Sequence, residues 1–251
     1  MISIFGNLHK SKPSLNHPKF AFTLAEVLIT LGIIGVVAAL TLPTVIQNYQ
    51  KNMTLTRLKK LYSVVYNAME RAKSDYGTDV NLWDIPNSTD AVMKSDYFAE
   101  KYILPYLQDF KDCSKTPKRN CSISYKTGSN SSLNTVKNEN RTIILKGGEI
   151  ISIYAGKGNK NEAEDHTRVQ IYLFPNGYRE NMILGKDVFL VELGGGQGES
   201  GLDRNRIMPY GWSISASSCN SYTTRCKDSD RATCLALIMC EGWKIPDYYP
   251  W

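Results

Sequence analysis

The chain has 251 residues, of which 42% are hydrophobic and 22% are charged, and its formal net charge is +6. This length allows one membrane helix and one globular domain with a core of its own. Lys10, Lys12 and Lys19 precede the first apolar run, so the rest of the chain carries a surplus of only +3. A nucleic-acid groove needs a clustered basic surface, and this mild surplus is more typical of scattered, solvated charge, so it gives no basis for predicting a nucleic-acid partner.

Residues 1–21 are polar and basic, and Pro13 and Pro18 disfavour a helix there. Residues 22–43 are almost entirely apolar and contain one charge, Glu26. A helix of this length rises about 33 Å and can cross a hydrocarbon core of ~30 Å. A secretory signal peptide places its small-residue cleavage site after the apolar run, whereas Ala21 precedes this one. The lysines before the run predict a cytoplasmic N-terminus and a single crossing.

The run A-F-T-L-A-E-V-L-I-T-L-G-I-I-G-V-V-A-A-L-T-L-P, residues 21–43, resembles the class III leader and N-terminal helix of type IV pilins and type II secretion pseudopilins. In that family the residue after the cut is commonly Phe, and the fifth mature residue is Glu. With Phe22 as the first mature residue, Glu26 is the fifth, and Pro43 also falls in register. The residue before the cut is usually Gly; here it is Ala21, the nearest in size, so we expect slower processing.

The resemblance implies that a membrane aspartic protease removes residues 1–21 as a cytoplasmic leader and that Phe22 is then N-methylated. A lone carboxylate in a bilayer is tolerated when it meets a cation. For Glu26 the resemblance implies that this cation is the amine of Phe22 on a neighbouring subunit. Alternatively, Glu26 lies close enough to the helix end to reach the headgroups. Pro43 lacks an N–H and predicts a helix bend at the membrane exit. Gly32 and Gly35 permit close helix packing or local melting of the helix, or simply face lipid.

From Thr44 the chain becomes amphipathic. Apolar residues recur every three to five positions, a helical period, at Ile46, Tyr49, Met53, Leu58, Leu61, Val65, Met69, Ala72 and Tyr76. We predict that residues 44–77 continue the membrane helix, that one helix covers residues 22–75, and that Gly77 stops it. The irregular spacing favours packing on the protein's own sheet over a coiled coil.

Residues 78–251 are predicted to form the globular body. Asn87-Ser88-Thr89-Asp90 offers N-cap chemistry for a helix interrupted near Pro105, and the polar residues 114–140 predict an exposed loop. Strands are predicted over 142–146, 149–155, 168–174 and 187–193, with turns at 147–148 and 175–177. One long helix followed by antiparallel strands predicts an α+β roll with the helix on one sheet face, the pilin-like architecture that the resemblance also implies.

Six cysteines follow the span: Cys113, Cys121, Cys219, Cys226, Cys234 and Cys240. An even number beyond the membrane predicts disulfides, whose partners the sequence does not fix, although a small Cys113–Cys121 loop is one candidate. There is no C-x-x-C pair, so no metal site is predicted. In the cysteine-rich part, 219–251, residues 235–239 predict a short helix or strand. The aromatic residues of GWKIPDYYPW form either a binding surface or a tail packed on the sheet.

No enzyme and no cofactor are predicted. His166 is the one histidine after the span, and no nucleophile is identifiable beside it. Glu162, Glu164 and Asp165 lie in a loop-like stretch. The glycine-rich residues 194–201 lack the Lys and Ser or Thr of a phosphate loop and predict a flexible loop.

The resemblance implies a structural subunit of a type IV pilus or a type II secretion filament, two machines that the shared helix does not separate. Its implied partners are a prepilin peptidase and methyltransferase, other pilin or pseudopilin subunits, an inner-membrane assembly platform and the lipid bilayer. The subunit would reside in a bacterial inner membrane and then in a periplasmic or extracellular filament. The alternatives are a minor, tip-located subunit whose body is a binding module, and an anchored domain that never polymerises and keeps its leader.

Overall fold

The structure is a computed structural model that describes residues 23–80, 83–86, 88–114, 123–128, 133–136, 139–157, 167–193, 205–212, 218–227 and 231–251. The chain divides into two units, Met1–Asn48 and Tyr49–Trp251. The fold is α+β: a long N-terminal helix precedes an antiparallel sheet, and two disulfides lie near the C-terminus.

Helix α1 runs without interruption over Leu24–Tyr76, so the prediction of one helix over residues 22–75 is confirmed from residue 24 onward, while residue 22 lies outside the described residues. It ends at Gly77, whose φ is +97° and whose N–H donates to the carbonyl of Lys73 at 2.9 Å. A positive φ is least costly for glycine, which explains why the helix stops there.

The buried face of α1 is shorter than the predicted apolar stripe. Its buried residues are Thr54, Leu58, Leu61, Val65, Ala68, Met69 and Ala72. Ile46 and Tyr49, at the start of the stripe, are 52% and 64% exposed. The predicted helix is present, but apolar periodicity marks a helix face without saying how much of it the protein itself covers.

Helix α2, Ala91–Phe98, begins at Asp90, whose carboxylate accepts hydrogen bonds from the N–H groups of Val92 and Met93. This confirms the N-cap chemistry predicted at the end of residues 87–90. A short π-helix, Ala99–Ile103, and a 3-10 helix, Leu104–Tyr106, follow. The 3-10 helix contains Pro105, where the interruption of the helix was predicted.

Six of the described strands form the larger sheet, in the order β1-β4-β5-β6-β8-β9 with antiparallel neighbours. They are β1 Phe110–Asp112, β4 Arg141–Leu145, β5 Ile150–Lys157, β6 Thr167–Phe174, β8 Phe189–Leu193 and β9 Ile207–Pro209. The predicted hairpin is β4–β5, closed by a hydrogen bond from Leu145 N–H to the Glu149 carbonyl at 2.8 Å. Strands β1 and β9, the two edges, were not predicted.

Residues 114–140 are not wholly the loop that their polarity predicts. Strands β2, Ile123–Lys126, and β3, Leu133–Val136, form an antiparallel hairpin, and β2 also pairs in parallel with β7, Met182–Ile183. Ile123 and Val136 lie opposite each other and are only 4% and 3% exposed. These two apolar side chains are buried at one end of the hairpin, whereas the other residues of β2 are half-buried and the other residues of β3 are exposed.

The two faces of the larger sheet pack into two hydrophobic clusters. Leu61 of α1 and Phe98 of α2 belong to one cluster, together with Ile151 and Ile171 of the sheet. Phe174, on the opposite face, belongs to the other cluster, together with Ile123 and Val136 of the β2–β3 hairpin. Successive strand residues point to opposite faces, so β5 and β6 contribute to both clusters.

A buried arginine links three segments of the body. The Arg141 side chain, on β4, is 4% exposed, and its guanidinium lies 2.6 Å from Asp112, 2.8 Å from Glu100 and 3.1 Å from Asp96. A charge buried this deeply requires paired counter-charges. Arg141 therefore joins β1, α2 and the π-helix to β4, the second strand of the larger sheet.

The C-terminal part contains helix α3, Asn220–Lys227, and helix α4, Cys234–Cys240. Disulfides join Cys219 to Cys240 and Cys226 to Cys234, as the cysteine count predicted. Residues 235–239, predicted as helix or strand, are helical. Cys113 is also disulfide-bonded, and Cys121, its candidate partner, lies outside the described residues.

Candidate functional site: an exposed apolar helix

The first half of α1, residues 24–48, exposes its apolar side chains. Leu24, Leu28 and Leu40 are 79%, 61% and 74% exposed, and only Ala38 in this half is partly covered. Contiguous apolar surface on a folded chain marks a site of interaction with a membrane or with another protein. Within the part of the chain that the structure describes, α1 is the one helix long and apolar enough to cross a membrane.

Glu26 closes a capping box with Thr23 at the start of α1. The N–H and the hydroxyl of Thr23 each donate to Glu26 Oε2 at 2.8 Å, and the Glu26 N–H donates to Thr23 Oγ1 at 3.2 Å. This reciprocal pattern satisfies N–H groups that the first helical turn leaves open. The spacing Thr23-x-x-Glu26 is its sequence signature, although only a membrane role was predicted for this acid.

The capping box leaves the charge of Glu26 unneutralised. Both partners come from Thr23, which carries no charge, and no cation among the described residues forms an ion pair with the carboxylate. Hydrogen bonds to neutral groups lower the cost of placing an acid in lipid without removing its charge. A cation from outside the described chain would therefore still find an anion at this position.

Three further predicted features lie on the same helix. A Cβ added at Gly32 or Gly35 would meet no atom within 4 Å, so neither glycine is needed for a contact within this chain. Pro43 lies inside α1, which continues past it although proline offers no N–H for the helical hydrogen bond. The bend at Pro43 therefore remains a prediction.

The predicted processing site, Ala21 and Phe22, lies outside the described residues, which begin at Thr23. The cut, the methylation and the pairing of Glu26 with a neighbouring amine therefore remain predictions. Also outside the described residues are Glu162, Glu164, Asp165, His166 and the glycine-rich residues 194–201. No group of three or more His, Cys, Asp or Glu that could hold a metal ion occurs among the residues that are described.

Two alternatives were predicted for the C-terminal aromatic residues, a binding surface and a packed tail, and both buried and exposed rings are present. Tyr249 is buried and its hydroxyl donates to the carbonyl of Gly185; burial raises the pKa of this hydroxyl above its ordinary range. Trp243 and Trp251 are half-buried, and Tyr248 is 43% exposed. The tail is thus packed on the body through Tyr249, while parts of the other three rings remain at the surface.

These features define an α+β protein whose apolar N-terminal helix could cross a membrane. Residues 44–251 match the model of a family of unknown function (DUF6613), and the chain belongs to that family. The match begins at the residue after Pro43, so it covers the body and the amphipathic part of α1. No curated protein and no solved structure matches the chain.

Proposed function

We propose that this chain is a pilin-like subunit of a type IV pilus or a type II secretion filament. Residues 22–43 anchor it in the bacterial inner membrane after the leader is cut and Phe22 is methylated, and its N-terminal helix then packs against the helices of other subunits. The observation that carries this proposal is the run of exposed apolar side chains in residues 24–48 with Glu26 as its one acid.

The energetics of transfer support a membrane environment for this run. Leu, Ile, Phe and Val each favour insertion at a helix centre by roughly 0.3–0.6 kcal/mol, whereas a central Asp costs about 2.5–3.5 kcal/mol. The many apolar residues of 24–48 therefore outweigh one acid near the helix end. The remaining free-energy cost of the Glu26 charge in the membrane is removed when a cation approaches the carboxylate. Pairing of Glu26 with a cation of another subunit would therefore favour assembly over the isolated helix in lipid.

The position of the cysteines supports a body on the far side of the membrane. The two C-terminal disulfides lie in the Tyr49–Trp251 unit, and disulfides persist in oxidising compartments rather than in the cytoplasm. The lysines before the span favour a cytoplasmic N-terminus. The two arguments use different residues and support the same orientation.

A three-variant series tests the role of Glu26. Glu26→Gln removes the charge and keeps the capping box, since glutamine serves at this position, whereas Thr23→Ala weakens the box and keeps the charge; Glu26→Ala loses both. We expect Glu26→Gln and Glu26→Ala to reduce the filament fraction relative to the membrane fraction by roughly tenfold or more, the worth of one charge-assisted contact. Thr23→Ala should assemble nearly as the wild type. The readout is an immunoblot of sheared filaments and of membranes.

The opposite ranking would overturn the proposed role. If Glu26→Gln assembles normally while Thr23→Ala and Glu26→Ala fail, Glu26 acts only as a helix cap. N-terminal sequencing of the mature chain supplies an independent test. An N-terminus at N-methyl-Phe22 is expected, whereas an intact Met1 would favour the anchored domain that never polymerises.

A further inference from the structure

A cationic cavity lies in the Tyr49–Trp251 unit. It has a volume of about 240 Å³, and its wall includes the side chains of Arg57, Arg179 and Lys186 and one carboxylate, Asp187. The Asp187 carboxylate already accepts a hydrogen bond from the Ile183 N–H at 3.0 Å. Three positive charges thus face one negative charge that is already hydrogen-bonded.

None of the three cations is neutralised by an ion pair within the described residues. Arg57 donates to the side-chain oxygen of Asn176 at 3.2 Å, and Lys186 lies 5.5 Å from the ring centre of Trp251. Both are contacts with uncharged groups. With three cations and one carboxylate in its wall, the cavity carries a surplus of positive charge that would attract an anion.

The wall of the cavity is held in place by the fold. The Asn176 amide donates to Thr54 Oγ1 at 2.8 Å, so the group that orients Arg57 is itself fixed to α1. On the other side, Arg231 donates to the carbonyl of Pro250 at 3.0 Å, and this contact helps to fix Trp251 beside Lys186. Preorganised donors lower the cost of ordering side chains when a ligand binds.

A second cavity provides the contrast within the same body. Its volume is about 330 Å³, and it is lined by Lys60, Arg71 and Lys146 among other residues. There Lys60 is paired with Glu149 at 2.7 Å, and Lys146 lies 3.6 Å from Asp109. Two of its three cations therefore have carboxylate partners, whereas none of the three cations of the first cavity forms an ion pair within the described residues, so an anionic ligand is favoured in the first.

Apolar and aromatic groups border the cationic cavity. Tyr49 and Met53 belong to its wall and follow Ile46, the last aliphatic residue of the exposed run, by three and seven positions on α1. Trp251 also lines it. Tyr and Trp are enriched where proteins meet the headgroup layer of a membrane, so the composition of the wall suits a ligand at that level.

We propose that this cavity binds the phosphate of an anionic phospholipid headgroup while the subunit is stored in the membrane. The inference depends on the proposed membrane anchoring. The volume is below the roughly 300 Å³ at which pockets for drug-sized ligands begin, so it suits a phosphate with its glycerol rather than an acyl chain. Arg57 and Arg179 supply planar donors to phosphate oxygens, and Lys186 adds a point charge.

Native mass spectrometry of the full chain in neutral detergent tests the proposal with dioleoylphosphatidylglycerol as the probe. One bound lipid per chain is expected, at roughly tenfold higher affinity than dioleoylphosphatidylcholine. The double variant Arg179→Gln/Lys186→Gln should weaken phosphatidylglycerol binding by about tenfold or more. The matched control Lys111→Gln/Lys244→Gln removes the same charge at two exposed positions outside the cavity and should bind as the wild type.

Several outcomes would overturn the proposal. Equal binding by the wild type and Arg179→Gln/Lys186→Gln excludes the cavity, and equal losses in both double variants indicate only general charge attraction. Displacement of the lipid by glycerol phosphate at similar concentration would identify a site for soluble phosphate instead. Glu26→Ala should bind phosphatidylglycerol normally even where it fails to enter filaments, so a failure of this inference is distinguishable from a failure of the proposed function.

Discussion

The two halves of helix α1 share one backbone conformation and differ in what covers them. Residues 24–48 are exposed along nearly their whole length, while seven residues between Thr54 and Ala72 are buried. The second half is also hydrogen-bonded to the sheet, since the Tyr62 hydroxyl donates to the carbonyl of Ile207 at 3.0 Å. The body is therefore expected to depend on the second half for stability, and the first half is left for contacts outside the described chain.

The largest effect is expected at Arg141, in the Tyr49–Trp251 unit. Arg141→Leu leaves the carboxylates of Asp96, Glu100 and Asp112 without their shared cation, and breaking a buried ion pair costs about 3–5 kcal/mol. Thermal unfolding of the full chain in mild detergent, followed by near-ultraviolet circular dichroism, measures the loss. The control Lys111→Leu removes an exposed cation from β1. A loss below about 1 kcal/mol for Arg141→Leu would contradict the role of this cluster.

The contrast between the exposed and the buried half of α1 is tested directly by truncating one apolar side chain in each half. Leu61→Ala removes a side chain that is 1% exposed and should lower the free energy of unfolding by about 2–5 kcal/mol. Ile34→Ala removes one that is 62% exposed and should change it by less than about 0.5 kcal/mol. The same unfolding measurement serves both variants. Equal losses would show that the body packs on the first half as well.

A smaller, pH-dependent effect is expected at Glu149, which is paired with Lys60 of α1 at 2.7 Å. Burial alone would raise the pKa of this carboxyl, but the hydrogen bond and charge of Lys60 lower it below its ordinary value of 4.5. A lowered pKa in the folded state stabilises the protein above pH 4.5, and this contribution is lost as the pH falls through the folded-state pKa. Glu149→Gln should thus be less stable at pH 7 by about 1 kcal/mol, and the difference should shrink below about pH 4.

Glu70→Gln is the matched control for this pH dependence. Glu70 pairs with Lys73 on the same helix at 2.7 Å, but its side chain is 44% exposed. Exposed pairs three residues apart contribute only about 0.2–0.5 kcal/mol. A pH-independent loss in Glu149→Gln, or an equal loss in the control, would contradict a special role for the Lys60–Glu149 contact.

Features that depend on neighbours in sequence were predicted well. Helix α1, its stop at Gly77, the cap at Asp90 and the β4–β5 hairpin all follow from local periodicity or turn chemistry, and all are present. The β2–β3 hairpin and the edge strands were not predicted. They are three or four residues long, and such short segments become strands only because a neighbouring strand is there to pair with them.

Features assembled from distant segments could not be read from the sequence. Nothing local marks Arg141, because its three carboxylate partners lie 29 to 45 residues earlier in the chain. The cationic cavity likewise joins α1 to residues near 179 and to Trp251. The capping box of Glu26 is a local feature that could have been predicted, because the spacing Thr23-x-x-Glu26 is its signature. It was not predicted because a membrane role already explained the acid.

The short edge strands of the larger sheet have a consequence for how two copies of the body could join. Among the described strands, β1 and β9 end the larger sheet and are three residues each; β1 carries an exposed lysine at 111, and β9 ends in Pro209, which has no N–H to offer. Edges of this kind offer little template for adding a foreign strand. Joining of two bodies through these sheet edges is therefore disfavoured, which limits one route to aggregation.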